Sequence, residues 1–304
     1  LPEEQLSFHW AMFKGYTPPE LKVAGLPAAY LVPGPIYASH IVVSDLKSNT
    51  KLFDERFDFP REDVRAVGLP LVLEQRNWKL TQEGQSYRLS AGPIQLVLRP
   101  NRPAVVHPPG YSGNAETGRM YYVSFTRLDM EGKLGDRAVK GQAWMDHQWG
   151  DQLSANGLGA LWDWFGLHLS NGHDLMLYRV KNRKGEVVQL AGSATAPNGE
   201  VQEVKGLQMT PLETWTSEGG RSYALAWKIE ADGFSFTLNA PRKEQELLTT
   251  STRVAYWEGP MAGSGSWQGR PVRVQGMGEL VAGTYEWPSQ GEVPPMLPHA
   301  GLNP

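Results

Sequence analysis

Apolar and polar residues alternate with a period of two along most of this chain, and short turn signals cut the alternating runs. The clearest run in the first half is RMYYVSFTRLDMEG, residues 119–132. Successive side chains of a strand point to opposite faces. Met120, Tyr122, Ser124, Thr126 and Leu128 therefore share one face, and Tyr121, Val123, Phe125 and Arg127 the other, with a turn expected at Glu131-Gly132. Residues 36–46, 52–59, 78–80, 87–91 and 94–100 predict further strands. In residues 52–59, Phe53, Phe57 and Phe59 stand against Asp54, Arg56 and Asp58, with a bulge-like slip after Phe53, and Asp45 and Arg56 suit a cross-strand ion pair. Residues 8–16 read as a strand. The prolines at 18, 19, 27, 33 and 35 predict an irregular loop after it, and residues 107–118 a long Pro/Gly loop. The second half is more regular. Asn171-Gly172, Lys184-Gly185, Asn198-Gly199, Gly219-Gly220 and Asp232-Gly233 separate alternating runs, and the Asn-Gly, Asp-Gly and Gly-Gly pairs among them are strong hairpin signals. Only residues 243–253, KEQELLTTSTR, read as a helical turn. The pattern predicts an all-β, antiparallel fold built of hairpins. Strands that alternate small and bulky residues suit closed or half-closed barrels around an apolar ligand.

A length of 304 residues accommodates two such barrels in tandem. The expected units are residues 1–152 and 153–288, followed by a Pro-rich tail at 289–304. A net charge of −3 without a basic run argues against nucleic acid, which selects basic surfaces. No run approaches the ~18 apolar residues of a membrane helix. Cysteine is absent, which excludes disulfides, thiolate catalysis and Cys-ligated metals. The chain opens on Leu1-Pro2, and its natural start is expected upstream. An exported, periplasmic or membrane-associated location is the expectation, with peripheral membrane contact serving to collect an apolar substrate.

Candidate chemistry concentrates in residues 141–165, GQAWMDHQWGDQLSANGLGALWDWF. As strands, Trp144, Asp146 and Gln148 point one way and Met145, His147 and Trp149 the other, while Trp162 and Trp164 share a face with Asp163 opposite. Such titratable groups among aromatics form either a buried structural network or a reactive site. His40 reads as a satisfied core histidine, and His168 and His173 as surface residues flanking a hairpin. His147, His168 and His173 show no recognisable zinc spacing.

GQAWMDHQWGD, WDWFGLHLSNGHDLMLYRVKNRKG, and YWEGP with GMGELVAGTYE resemble the carotenoid 1,2-hydratase (hydroxyneurosporene synthase) and AttH-like superfamily. That resemblance implies two tandem lipocalin-like barrels. It also implies an apolar ligand of isoprenoid, polyene or lipid type, and in some members the addition of water to a terminal double bond of an acyclic carotenoid. By the same resemblance Asp163 matches the acid that protonates the alkene, and His147 and Trp149 match a His-x-Trp motif. The position before Trp162, often tyrosine in the hydratases, is Leu161 here. Alkene protonation creates a tertiary cation, so the acid must stay protonated, which burial among aromatics favours. Asp163 is the expected acid and His147 the base, with Asp146 as orienting partner. Trp144, Trp149, Trp162, Trp164, Tyr122, Tyr178 and Trp257 are the expected substrate-binding aromatics. No metal or other cofactor is called for. A non-catalytic lipid or terpenoid carrier and a pericyclase-like template are the competing readings.

Overall fold

The computed structural model describes residues 6–16, 22–23, 26–27, 34–114, 118–151, 161–182, 184–250 and 254–284. Strands are the only regular elements among them, and every pairing is antiparallel. Among the described residues no helix is long and apolar enough to cross a membrane. The first half runs through β1 (Leu6–Tyr16), β2 (Lys22–Val23), β3 (Leu26–Pro27), β4 (Pro35–Asp45), β5 (Thr50–Asp58), β6 (Val64–Val67) and β7 (Val72–Gln75). It continues with β8 (Trp78–Glu83), β9 (Ser86–Ala91), β10 (Ile94–Pro100), β11 (Val105–Asn114), β12 (Gly118–Leu134) and β13 (Arg137–Asp151). The second half holds β14 (Leu161–Leu169), β15 (Asp174–Lys181), β16 (Val187–Thr195), β17 (Val201–Glu203) and β18 (Gln208–Thr216). It ends with β19 (Ser222–Ala231), β20 (Phe234–Asn239), β21 (Glu246–Leu248), β22 (Val254–Trp267) and β23 (Arg270–Thr284).

Four sheets are described: β1-β4-β5, the two-stranded β2-β3, an eight-stranded sheet of β6 to β13, and a ten-stranded sheet of β14 to β23. The ten-stranded sheet curls around its own core. Phe165 and Leu167 of β14, Trp227 and Ile229 of β19, and Phe236 and Leu238 of β20 meet there, all essentially inaccessible. The hairpin dipeptides of this half fall at its turns, and Gly172 and Gly233 adopt φ of 89° and 93°, a region costly for any residue with a Cβ.

The small sheet β1-β4-β5 lies between the two halves, because its strands carry apolar residues on one face and mixed residues on the other. Trp10 of β1 and Ile41 of β4 turn toward the first core, with Trp78, Leu80, Leu89 and Leu96. Their neighbours face the second half. Val42 packs with Tyr256 and Val281, and His40 Nδ1 lies 2.9 Å from the Tyr256 hydroxyl. Asp174, fully buried, adds a further tie: Thr126 Oγ1 donates to it at 2.9 Å, and Arg102 and Arg127 pair with it.

Several local expectations are revised. Residues 107–114 form part of β11 rather than a loop, because a register shift between Val106 and Tyr111 lets them pair with β12. β12 runs through Glu131 and Gly132, and the turn falls after Leu134. The expected helical turn instead contains the short strand β21, paired with β22; residues 251–253 lie outside the described residues. The slip in residues 52–59 is absent, since β4 and β5 pair without interruption. Arg56 lies over the Trp78 ring at 4.0 Å and Asp58 is buried against Gln75 and Arg76, while Phe57 and Phe59 are exposed. Asp45 pairs with Arg137 instead of Arg56. His168 is buried, its Nε2 2.8 Å from the Thr126 carbonyl oxygen, and His173 is half-buried with its ring 4.5 Å from Trp267.

Candidate active site

Four strands of the ten-stranded sheet place Tyr178, Trp164, Glu279 and Glu258 in register across β15, β14, β23 and β22. Residues directly opposite on one face have Cβ atoms only about 5 Å apart. This row lies on the face away from the sheet's own core, which Phe165 and Leu280 fill. Trp162, two residues before Trp164, donates its indole N–H to Glu279 Oε1 at 3.2 Å.

The first half supplies the facing wall. β12 brings Tyr122 and Ser124 and β13 brings Trp144 and Asp146, each pair two residues apart and so on one face. The Asp146 carboxylate accepts from the Tyr122 hydroxyl at 2.8 Å, the Trp144 indole N–H at 2.5 Å and the Ser124 hydroxyl. Trp164 Nε1 donates at 2.7 Å to the Tyr122 hydroxyl, which joins the walls. Behind Asp146 stands His107, with Nε2 2.7 Å from Ser124 Oγ and Nδ1 2.6 Å from Ser193 Oγ. The single Ser124 proton goes to Asp146, so His107 Nε2 donates to Ser124 and Nδ1 accepts from Ser193. Burial pushes the His107 imidazole down to about 4, consistent with that neutral tautomer. From β1, His9 Nδ1 lies 3.0 Å from Glu258 Oε1.

Electrostatics separate the carboxyl groups. Burial, then the charge of Glu258 directly across the strand pair, pushes Glu279 up to about 8 against the pull of His9 and the Trp162 hydrogen bond. Burial pushes Asp146 up to about 6, opposed by its three hydrogen-bond donors. Burial disfavours charge on His9, but Glu258 outweighs it and raises that imidazole. Asp146 keeps solvent access, yet the protein surrounds its carboxylate closely enough for lost hydration to dominate its titration. It therefore belongs to the wall of a recess. Trp144, Trp162, Trp164 and Glu279 line the same region and are each part-exposed. Gly166 keeps room for two of these rings: a Cβ there would come within 2.5 Å of Trp164 and 3.1 Å of Trp144.

The expected site residues divide. Trp144, Trp164, Tyr122 and Asp146 converge through the hydrogen bonds above, Tyr178 packs with them, and Trp162 sits on Glu279. His147 lies on the opposite face of β13, exposed, its ring tilted against Trp149 at 4.8 Å, with Trp149 stacked on Tyr121. Strand alternation separates it from Asp146, so the expected orienting contact is absent. Trp257 is fully buried in the second core, its indole N–H bonded to the Lys243 carbonyl oxygen at 2.7 Å, and does not reach the recess. Asp163 faces the inside of the ten-stranded sheet, ion-paired with Arg179 and, at 3.0 Å, with Lys181. These ion pairs hold the carboxylate on the face of β14 away from Trp162 and Trp164. No local sequence pattern marks Glu279, His9 or His107. Glu258 and Glu279 stand in the quoted YWEGP and GMGELVAGTYE stretches, but only cross-strand register brings them together.

Two depressions elsewhere have measurable volume. One of about 620 Å³, lined by Arg61, Glu62, Asp63, Arg65 and Glu74, is a charged surface between outer hairpins without converging chemistry. The other, about 340 Å³, contains Asp163.

Curled antiparallel sheets, with strands as the only regular elements among the described residues, define a lipocalin-like β protein. The chain belongs to the AttH-like family, whose pattern matches residues 2–283. Kievitone hydratase of Fusarium solani subsp. phaseoli is 25% identical over 153 residues, 49% of this chain and 43% of that protein, so the match spans less than half of the relative's length. Among solved structures, an AttH from Nitrosomonas europaea superposes with a TM-score of 0.76 at 20% identity, covering 92% of this chain and 88% of that one. Kievitone hydratase from Nectria haematococca superposes with a TM-score of 0.67 at 17% identity, covering 90% and 89%. These likenesses establish a shared fold.

Proposed function

We propose that this protein is a hydratase that adds water across a carbon–carbon double bond of an apolar, isoprenoid-like molecule. Glu279 is the proton donor and Asp146 the base. The observation that carries this reading is a pair of carboxyl groups, with environments that separate their titration, on one tryptophan-lined recess. Such separation is how one site holds an acid and a base near neutral pH. The Glu279 proton passes to the less substituted alkene carbon, leaving a tertiary cation on its neighbour. The faces of Trp162 and Trp164 stabilise that cation by roughly 2 kcal/mol or more where water is excluded. Asp146, ionised above about pH 6, takes a proton from the water that attacks the cation. Tyr122, Ser124 and Trp144 fix its orientation. The product is a tertiary alcohol, and solvent returns the proton from Asp146 to Glu279.

The hydratase relative supports the reaction type, and the resemblance to carotenoid hydratases supports the substrate class. In this scheme the missing phenol at Leu161 is not required, because Tyr122 supplies a hydroxyl from the facing wall. The test is the pH dependence of kcat/KM for hydration of an acyclic carotenoid such as lycopene. A bell between about pH 6 and 8 is expected, since Asp146 must be ionised and Glu279 protonated. Binding of the polyene without any turnover across this range would leave a carrier instead.

A further inference from the structure

The 340 Å³ depression lies on the opposite face of β14 and β23 from Trp162, Trp164 and Glu279. That volume is at the lower end of small-molecule pockets. Its wall joins apolar surface from Pro211, Leu280 and Ala282 to the charged trio Asp163, Arg179 and Lys181. The charges do not balance. Arg179 Nε and Lys181 Nζ address the same oxygen, Oδ2 of Asp163. Arg221, the remaining cation of the wall, is matched by Glu246 at 2.7 Å. One positive charge is thus left over beside an apolar wall.

The exposure of the trio points the same way. Asp163 is 5% exposed, whereas Arg179 and Lys181 reach solvent at 16% and 18%. The Arg179 guanidinium carbon lies over the Trp227 ring, 4.5 Å from its centroid, a cation–π contact that helps to anchor the group. Only its Nε is bonded to Asp163, and its two terminal nitrogens have no hydrogen-bond partner among the described residues. A planar guanidinium with two parallel donors matches a carboxylate fork.

We infer that this pocket is a second ligand site, which takes the carboxylate of a medium-chain amphiphile on Arg179 and Lys181 and lays its chain along Pro211, Leu280 and Ala282. The site does not depend on the proposed hydration chemistry, whose residues occupy the other face of the sheet. Asp163, read from the sequence as an acid, is here the resident counter-charge that tunes anion affinity.

Isothermal titration of the full chain with octanoate at low salt tests this, with octanol as the uncharged control. Octanoate is expected to bind at least tenfold more tightly than octanol, and Lys181→Met to weaken octanoate at least tenfold. Asp163→Asn removes the competing carboxylate and is expected to tighten octanoate binding, a change that a damaged fold cannot imitate. Glu279→Gln is expected to bind octanoate as the unmodified chain does, so failure of this site and failure of the hydratase reading register separately. Equal binding of octanol and octanoate, no octanoate binding, or an unchanged affinity in Asp163→Asn would each overturn the inference.

Discussion

Replacing Glu279 by glutamine preserves shape and keeps an oxygen for the Trp162 indole N–H, but removes the titrating proton. The expected consequence is a stability change whose size depends on pH. Glu279 is raised from 4.5 to about 8 in the folded protein. Between those values the unfolded chain releases this proton while the folded chain holds it. The group's favourable contribution is therefore complete below pH 4.5 and is lost as pH rises to about 8. At about 1.4 kcal/mol per pH unit, the upper bound over that interval is about 5 kcal/mol. Partial solvent access reduces this, and about 2–3 kcal/mol is the working expectation. Glutamine has no such dependence. The variant should thus gain about 2–3 kcal/mol over the unmodified chain between pH 4.5 and pH 8.5, measured as the difference of differences. Urea unfolding followed by tryptophan fluorescence at both pH values provides it. A Glu279→Gln stability difference that is the same at pH 4.5 and 8.5 would refute the claim that the folded protein holds this carboxyl protonated.

Other outcomes follow from the same geometry. Asp146→Asn should lower kcat by about 10²–10⁴ and remove the rise in rate near pH 6, read from a pH–rate profile. Tyr122→Phe deletes a donor to the ionised Asp146 and should move that rise to higher pH. Glu258→Gln removes the charge across from Glu279 and should shift the fall in rate to below about pH 8. Asp174→Ala leaves Arg102 and Arg127 with an unmatched buried charge and should cost about 3–5 kcal/mol of unfolding free energy in urea denaturation.

The all-β class was legible because alternation and turn dipeptides are local signals, and Asn171-Gly172 and Asp232-Gly233 mark hairpin turns that the fold uses. One wall of the recess was legible for the same reason: Tyr122, Ser124, Trp144 and Asp146 come from two strands whose alternation is plain. Alternation also separated Asp146 from His147 and Asp163 from its flanking tryptophans. What it could not supply was which face meets which. Asp163 looked aromatic-buried from its neighbours in sequence, but the opposite face of β14 carries it to Arg179 and Lys181. Glu279 gains its character from burial and from the charge of Glu258, which stands opposite it on the next strand. Such partners are set by sheet register and leave no local pattern.

The most direct test of the central claim is hydration of an acyclic carotenoid in D₂O by the unmodified chain, Glu279→Gln and Asp163→Asn. Each chain is checked for native folding, and deuterium in the alcohol product is read by mass spectrometry. One carbon-bound deuterium per water added is expected from the unmodified chain, with at least a hundredfold loss of turnover in Glu279→Gln. Turnover that survives in a folded Glu279→Gln and disappears in a folded Asp163→Asn would contradict that claim, and would return the proton to Asp163.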